Sequence, residues 1–194
     1  MPKFVNTDEK CAEFIEASWK VIARDGLQGT TLRRVANEAK CTTGSLTHYF
    51  SDRQSLLIET LRVAHFRAGE RMARAAEAAE TDYQRLEAVM FESLPLDAVR
   101  LSEWKVWLAF WGGSMSDPDL AAENTRRYEE WRALVGTLLA PLTENSGRDS
   151  EILIALIDGL GLRLARDTSE GRILKRMQAA CAALLAEYLT RFKP

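Results

Sequence analysis

Metal chemistry and cysteine chemistry have little to work with in this sequence. Its 194 residues hold two histidines, His48 and His65, and three cysteines, Cys11, Cys41 and Cys181, which are odd in number, scattered and without CxxC spacing. That pattern suggests neither a disulfide framework nor a zinc site, and it fits a reducing cytoplasm. There is no phosphate-cradling glycine loop and no spaced Ser/His/Asp or Cys/His set, so an enzyme is disfavoured and no cofactor or metal is expected. No run reaches the roughly eighteen uncharged apolar residues of a membrane span, and MPKFVNTDEK meets Asp8 and Glu9 before any apolar stretch. The expectation is a cytoplasmic chain with no leader and no membrane partner. Internal repeats, low-complexity tracts and convincing runs of alternating β-branched residues are also missing.

Net charge is −2, which argues against a chain that coats nucleic acid over its whole surface. Residues 1 to 55 hold eight Lys/Arg against seven Asp/Glu, so that segment is +1 and the remainder −3. Solvated helix faces explain the asymmetry as well as a local nucleic-acid surface does. A chain of this length can bury roughly 70% of its unfolded surface and needs no staples.

What is present reads at helical period throughout. Phe14, Ile15, Ser18, Val21 and Ile22 mark a first helix, with Gly26 where a C-terminal cap belongs. A second follows Thr30-Thr31 with Leu32, Val35, Ala36 and Ala39 as its stripe, and Thr42 or Thr43 caps a short third that ends near Tyr49-Phe50. Ser51 or Asp52 caps a fourth over about 53–80. Further helices fall near 82–94, 98–115, 117–143, 150–167 and 170–192, separated by Pro95, Ser116-Asp117-Pro118, Asn145-Ser146-Gly147 and Ser169-Glu170-Gly171. The fold class is all-α, about nine helices: a small N-terminal unit over 1–52 and a larger bundle over 53–194.

Two short helices joined by a tight turn, the second polar and outward-facing, form the helix-turn-helix pattern. Thr42, Thr43, Gly44, Ser45, Thr47, His48 and Tyr49 give that second helix small side chains and hydrogen-bonding groups suited to a major groove, while Leu46 and Phe50 pin it from behind. Gly44 costs about 1 kcal/mol of helix propensity against alanine. Close approach of DNA is one reason to tolerate it, and relief of crowding against a neighbouring helix is the other.

The segment TTLRRVANEAKCTTGSLTHYFSDRQSLL, residues 30 to 57, resembles the DNA-binding signature of the tetracycline-repressor (TetR) family. It departs at Lys40, where the family usually has glycine, and at Thr47, where many members have tyrosine. The second departure resembles the branch that represses glycine-betaine synthesis from choline. EWKVWLAFWGGSMSDPDL (103–120) and ALIDGLGLRLA (155–165) are similar to segments of the same branch, so the resemblance covers most of the chain. It implies a ligand-responsive repressor that binds a pseudo-palindromic double-stranded operator as a homodimer. By position in the matching motif it makes Thr43, Ser45, Thr47 and His48 candidates for base edges, and Thr31, Arg33, Tyr49 and Arg53 candidates for phosphates. For His48, packing or capping is the alternative role.

Trp104, Trp107 and Trp111 fall at i, i+3, i+7 and share one helical face, extended by Leu108 and Met115. Such a stripe is either core or an aromatic cage for a quaternary ammonium ion, in which each desolvated cation–π contact contributes about 0.5–2 kcal/mol. In the cage reading Tyr128 and Trp131 close it, and Glu103 or Asp158 balances the charge. Asp158 sits in the apolar run ILIALIDGLGL, where an unpaired charge is costly, and pairing with Arg163 or capping a backbone group are its other roles.

Ala155, Gly159 and Gly161 allow close helix approach, and Ile173, Met177, Ala180, Cys181, Leu184, Leu185 and Tyr188 form a stripe wide enough to bury on both sides. A homodimer through the last two helices accounts for it, with one monomer core as the competing use. The sequence therefore points to a repressor sensing choline or a related quaternary ammonium compound, the 53–80 helix acting as lever. The competing functions are an efflux-type regulator with a lipophilic ligand and a helical scaffold that binds only protein.

Overall fold

The computed structural model describes residues 7–167 and 171–193, and among these residues the chain forms nine α-helices and no strand. They are α1 (Thr7–Gly29), α2 (Leu32–Glu38), α3 (Thr43–Thr47), α4 (Arg53–Glu77), α5 (Asp82–Ser93), α6 (Ala98–Ser114), α7 (Pro118–Leu139), α8 (Ser146–Ala165) and α9 (Gly171–Leu189), the last followed by a 3-10 turn. The all-α expectation holds. Gly26 does interrupt α1, with φ 69°, but a further helical turn follows to Gly29. α8 starts four residues ahead of the expected 150, and α7 ends just before Pro141, whose ring disfavours helical backbone in the residue before it. Ser169 and Glu170 of the expected final break lie outside the described residues.

The described residues divide into two compact units, and α4, α6 and α7 contribute to both. The first comprises residues up to His65 together with Val106–Glu123. Phe14, Val21, Val35, Leu46, Phe50 and Leu56 form one core under α1–α4, and Trp19, Ile22, Leu27, Leu57, Leu61, Val106, Phe110 and Leu120 form a second. Burying a large apolar side chain stabilises by about 1.5–3 kcal/mol, so these side chains hold the short α2 and α3, which have too few turns to persist alone. The buried hydroxyls of Thr60 and Ser18 meet at 3.0 Å and cross-link α4 to α1. Asp117 caps α7 through the Asp119 and Leu120 amides, each at 3.1 Å, and accepts Gln54 Nε2 on both oxygens at 2.8 and 2.9 Å.

The second unit comprises Phe66–Lys105 and the described residues from Asn124 onward. Its interior draws on Leu86, Val89 and Met90 of α5, Val135 and Leu139 of α7, Leu153, Ile157 and Leu164 of α8, and Cys181 and Leu185 of α9. A buried acid is satisfied here: both oxygens of Glu103 accept from Arg71 at 2.6 Å, and Glu92 adds a third carboxylate contact at 3.3 Å. Gln178 of α9 donates to the Pro95 carbonyl at 2.9 Å, tying the last helix to the α5–α6 connection.

Candidate nucleic-acid interface and effector site

The helix-turn-helix is assembled by its caps. Thr31 Oγ1 accepts from the Arg34 amide at 3.2 Å and opens α2, and Thr42 Oγ1 does the same for Ser45 at 3.2 Å and opens α3. Between them the Lys40 amide donates to Asn37 O at 3.1 Å and the Cys41 amide to Ala36 O at 2.9 Å, closing α2 in a Schellman turn with Lys40 at φ 54°. Within α3 only Leu46 is buried; Thr43, Gly44, Ser45 and Thr47 are exposed, as are the cap Thr42 and the following His48. An almost wholly exposed, well-capped helix is held from one side and free on the other.

That exposure sorts the alternatives left by the sequence. A Cβ placed on Gly44 meets only Thr42 Oγ1, at 3.9 Å, so no neighbouring helix crowds the position and the crowding explanation is corrected. His48 is exposed and touches the edge of Tyr49 at 5.4 Å between centroids. Tyr49 in turn packs edge-on against Phe14 at 5.3 Å, which fixes the end of α3 to α1. Arg33 is exposed, with its guanidinium available to an outside partner.

Arg53 is different. Its Nε donates to Thr30 O and its Nη2 to Leu27 O, so the side chain clamps the start of α4 to the α1–α2 corner. A guanidinium has five donors, which leaves some for a phosphate, but the fold uses this arginine first. Sequence reasoning missed that role because nothing local announces a partner more than twenty residues away.

The tryptophan stripe of α6 splits. Trp104 is 2% exposed, its Nε1 donates to Ser93 O at 2.8 Å, and a Cβ on Gly161 would lie 2.0 Å from its ring, so this indole is locked in the core of the second unit. Trp107 and Trp111 are half-buried and belong to the first unit, where Trp107 stacks on His65 at 5.6 Å and 19° between planes. Met115 lies beyond the end of α6 and is 89% exposed.

In the second unit the Tyr128 hydroxyl donates to Asp158 Oδ2 in a short contact. Both residues are half-buried, as is Trp131 one turn along α7, and the Arg132 guanidinium lies 5.5 Å from the Tyr128 ring centroid. Burial pushes the Asp158 carboxyl above its usual range, and the Tyr128 hydrogen bond offsets that only in part. Among the described residues neither Arg163 nor a backbone group holds Asp158, so both of those expected roles are corrected. The two candidate counter-charges are thereby distinguished: Glu103 already has Arg71, whereas the described partner of Asp158 is a neutral phenol. No cluster of His, Cys, Asp or Glu suited to a metal ion, and no helix long and apolar enough to cross a membrane, occurs among the described residues.

Comparison with known proteins now bears on this arrangement. Residues 14–60 match the family described as bacterial regulatory proteins, tetR family, and residues 82–190 match the BetI-type transcriptional repressor C-terminal family. An HTH-type transcriptional regulator BetI from Burkholderia thailandensis is 37% identical over 169 residues, covering 84% of this chain and 85% of its own. Among solved structures, a transcriptional regulator from Saccharomonospora viridis in complex with choline shares the fold with a TM-score of 0.80 at 22% identity, over 92% of this chain and 96% of that one. Another, from Pseudomonas aeruginosa PAO1, reaches a TM-score of 0.74 at 26% identity over 98% of this chain and 97% of that one. With its capped, exposed α3 and its nine described helices, this chain belongs to the tetR family of bacterial regulatory proteins and carries the BetI-type repressor C-terminal domain.

Proposed function

We propose that this regulator binds operator DNA as a homodimer through α3 and releases it on binding choline or a related quaternary ammonium compound. The observation that carries the ligand half is Asp158, a half-buried carboxylate whose described partner is an uncharged phenol. A bound cation supplies the charge this acid lacks, and the Tyr128 ring in contact with it, with Trp131 one turn along α7, is assigned the π faces for an alkylammonium group. Naming of the relatives as BetI regulators and of a fold neighbour as a choline complex supports the same ligand class. Trp107 and Trp111 are kept as ligand candidates on the aromatic pattern of the sequence alone. In this reading the fourth helix acts as lever, and a ligand lowers DNA affinity by the difference between its affinities for the two arrangements of the dimer.

The dimer half is supported by exposed apolar residues on the last two helices. Ile152, Ala155, Gly159 and Leu162 recur at i, i+3, i+7, i+10 on α8, and Ile173, Ala180 and Leu184 form a matching line on α9. Apolar stripes of this kind mark association surfaces. For DNA, Thr43, Ser45, Thr47 and His48 are assigned to bases, and Thr31, Arg33, Tyr49 and part of Arg53 to phosphates.

The test is a calorimetric titration with choline, glycine betaine and a bulky lipophilic cation on wild type, Asp158→Asn and, separately, Trp107→Ala and Trp131→Ala. Saturable choline binding that weakens about tenfold or more in Asp158→Asn, near 1.4 kcal/mol per decade, is expected. Binding of the lipophilic cation alone moves the function to efflux-type regulation. Choline affinity unaltered by Asp158→Asn removes the carboxylate from the site.

A further inference from the structure

We infer that Lys40, in the turn between α2 and α3, is a DNA-phosphate contact that the chain keeps at the expense of backbone strain. Its φ of 54° places it in the left-handed region, and among the described residues it is the one non-glycine there. Glycine enters that region freely, whereas an L side chain crowds the following carbonyl. The conformation itself is required, because the Schellman bonds from the Lys40 and Cys41 amides end α2 and aim the chain into the Thr42 cap of α3. Lysine is therefore a costly choice where a cheaper residue would close the same turn.

Nothing within the described residues rewards that choice. The Lys40 side chain is exposed and takes part in no ion pair or hydrogen bond among them. Cys41 beside it packs against the core and the exposed Thr42 follows, so Lys40 is an exposed residue of the turn that leads directly into α3. A strained residue with no internal partner, carrying a positive charge three positions before Thr43, matches a polyanion whose phosphates flank the groove. A phosphate contact positions the protein and reads no sequence. This inference rests on the assignment of α3 as the base-reading helix.

The test uses the full-length protein and two variants. Lys40→Asn tolerates the left-handed region and removes the charge, and Lys40→Arg keeps the charge. Anisotropy titrations against an operator selected from a random-sequence pool, and against a scrambled duplex, are run from 50 to 300 mM salt. One phosphate contact contributes about 0.9 to the slope of log affinity against log salt, so a dimer losing two should show a slope shallower by about 1.8. Lys40→Asn is expected to weaken operator and scrambled DNA by the same factor, about tenfold or more near 0.1 M salt, while its melting midpoint stays level or rises by up to about 4 °C. Lys40→Arg should retain the wild-type slope. An unchanged slope in Lys40→Asn, or a loss confined to the operator, overturns the inference. A wild-type protein with no salt-dependent DNA binding would instead overturn the DNA reading of α3 itself.

Discussion

Replacing Gly44 with alanine sets folding against function. The position is exposed, lies inside α3, and offers a new Cβ no contact nearer than Thr42 Oγ1 at 3.9 Å, an ordinary van der Waals distance. The methyl group therefore adds helix propensity without strain. In a helix interior that difference is about 1 kcal/mol, and near the start of a five-residue helix somewhat less. For a chain of 194 residues this raises the melting midpoint by about 2–4 °C at most. On DNA the same methyl stands where backbone and base edge are proposed to meet, and displacing one groove contact costs about 1–3 kcal/mol per half-site. The expected result is a slightly more stable protein whose operator affinity, by anisotropy at fixed salt, falls about tenfold or more. A stabilised variant that binds operator as tightly as wild type would refute the argument that DNA accounts for the missing side chain. A destabilised one would refute the geometry.

Four further substitutions probe the rest. Arg53→Ala strips the donors from Leu27 O and Thr30 O, so it should lower stability by about 1–3 kcal/mol in a urea melt, while Arg33→Ala leaves the melt unchanged and weakens operator and scrambled DNA alike. Gly161→Ala drives a methyl into the Trp104 ring, 2.0 Å away, and should cost about 1–3 kcal/mol with a change in near-UV circular dichroism; a silent variant would mean that Trp104 is not locked. Asp158 has a folded pKa raised above 3.8 by burial, so its favourable contribution is present at low pH and lost as pH rises through that folded value. Asp158→Asn should therefore be the more stable protein at neutral pH, the gap closing on acidification; because the ionised carboxylate is what attracts a cation, choline affinity should rise with pH through the same value in the wild type and stay flat in the variant.

Much of the fold was legible because the chain marks its helix ends with side chains that act locally. Thr31, Thr42 and Asp117 each accept from an amide two or three residues on, and that signal is contained in a four-residue window. The start of α8 is not legible in the sequence because its first turn, Ser146 to Asp149, is polar and shows no period. The exposed face of α3 was legible for a related reason: with Leu46 as its one buried residue, everything else had to face outward. What stayed hidden was decided by contacts between distant segments. Helical spacing placed Trp104, Trp107 and Trp111 on one face, but only Gly161 and Ser93 reveal that Trp104 is core. Arg163 is one expected partner of Asp158, and the partner comes from α7 instead. Lys40 left a visible trace, a lysine where the resembling family has glycine, although its meaning needed the backbone angle.

The features that look costly fall into two classes, and the division itself makes a prediction. Gly161, Arg53 and Glu103 are each explained inside the protein, by an indole, two carbonyls and a guanidinium. Gly44 and Asp158 are not, and local choices that conflict with stability concentrate where a chain meets its ligands. If that division is right, changes in the second class should stabilise and those in the first should not. Gly44 and Asp158 lie in different units and share no partner, so their folding effects should add to within about 0.3–0.5 kcal/mol. Gly44→Ala combined with Asp158→Asn should melt above either single variant, bind operator as weakly as the first and choline as weakly as the second. A double variant less stable than wild type would show that at least one of these residues serves the fold after all, and the functional assignment of that residue would fall with it.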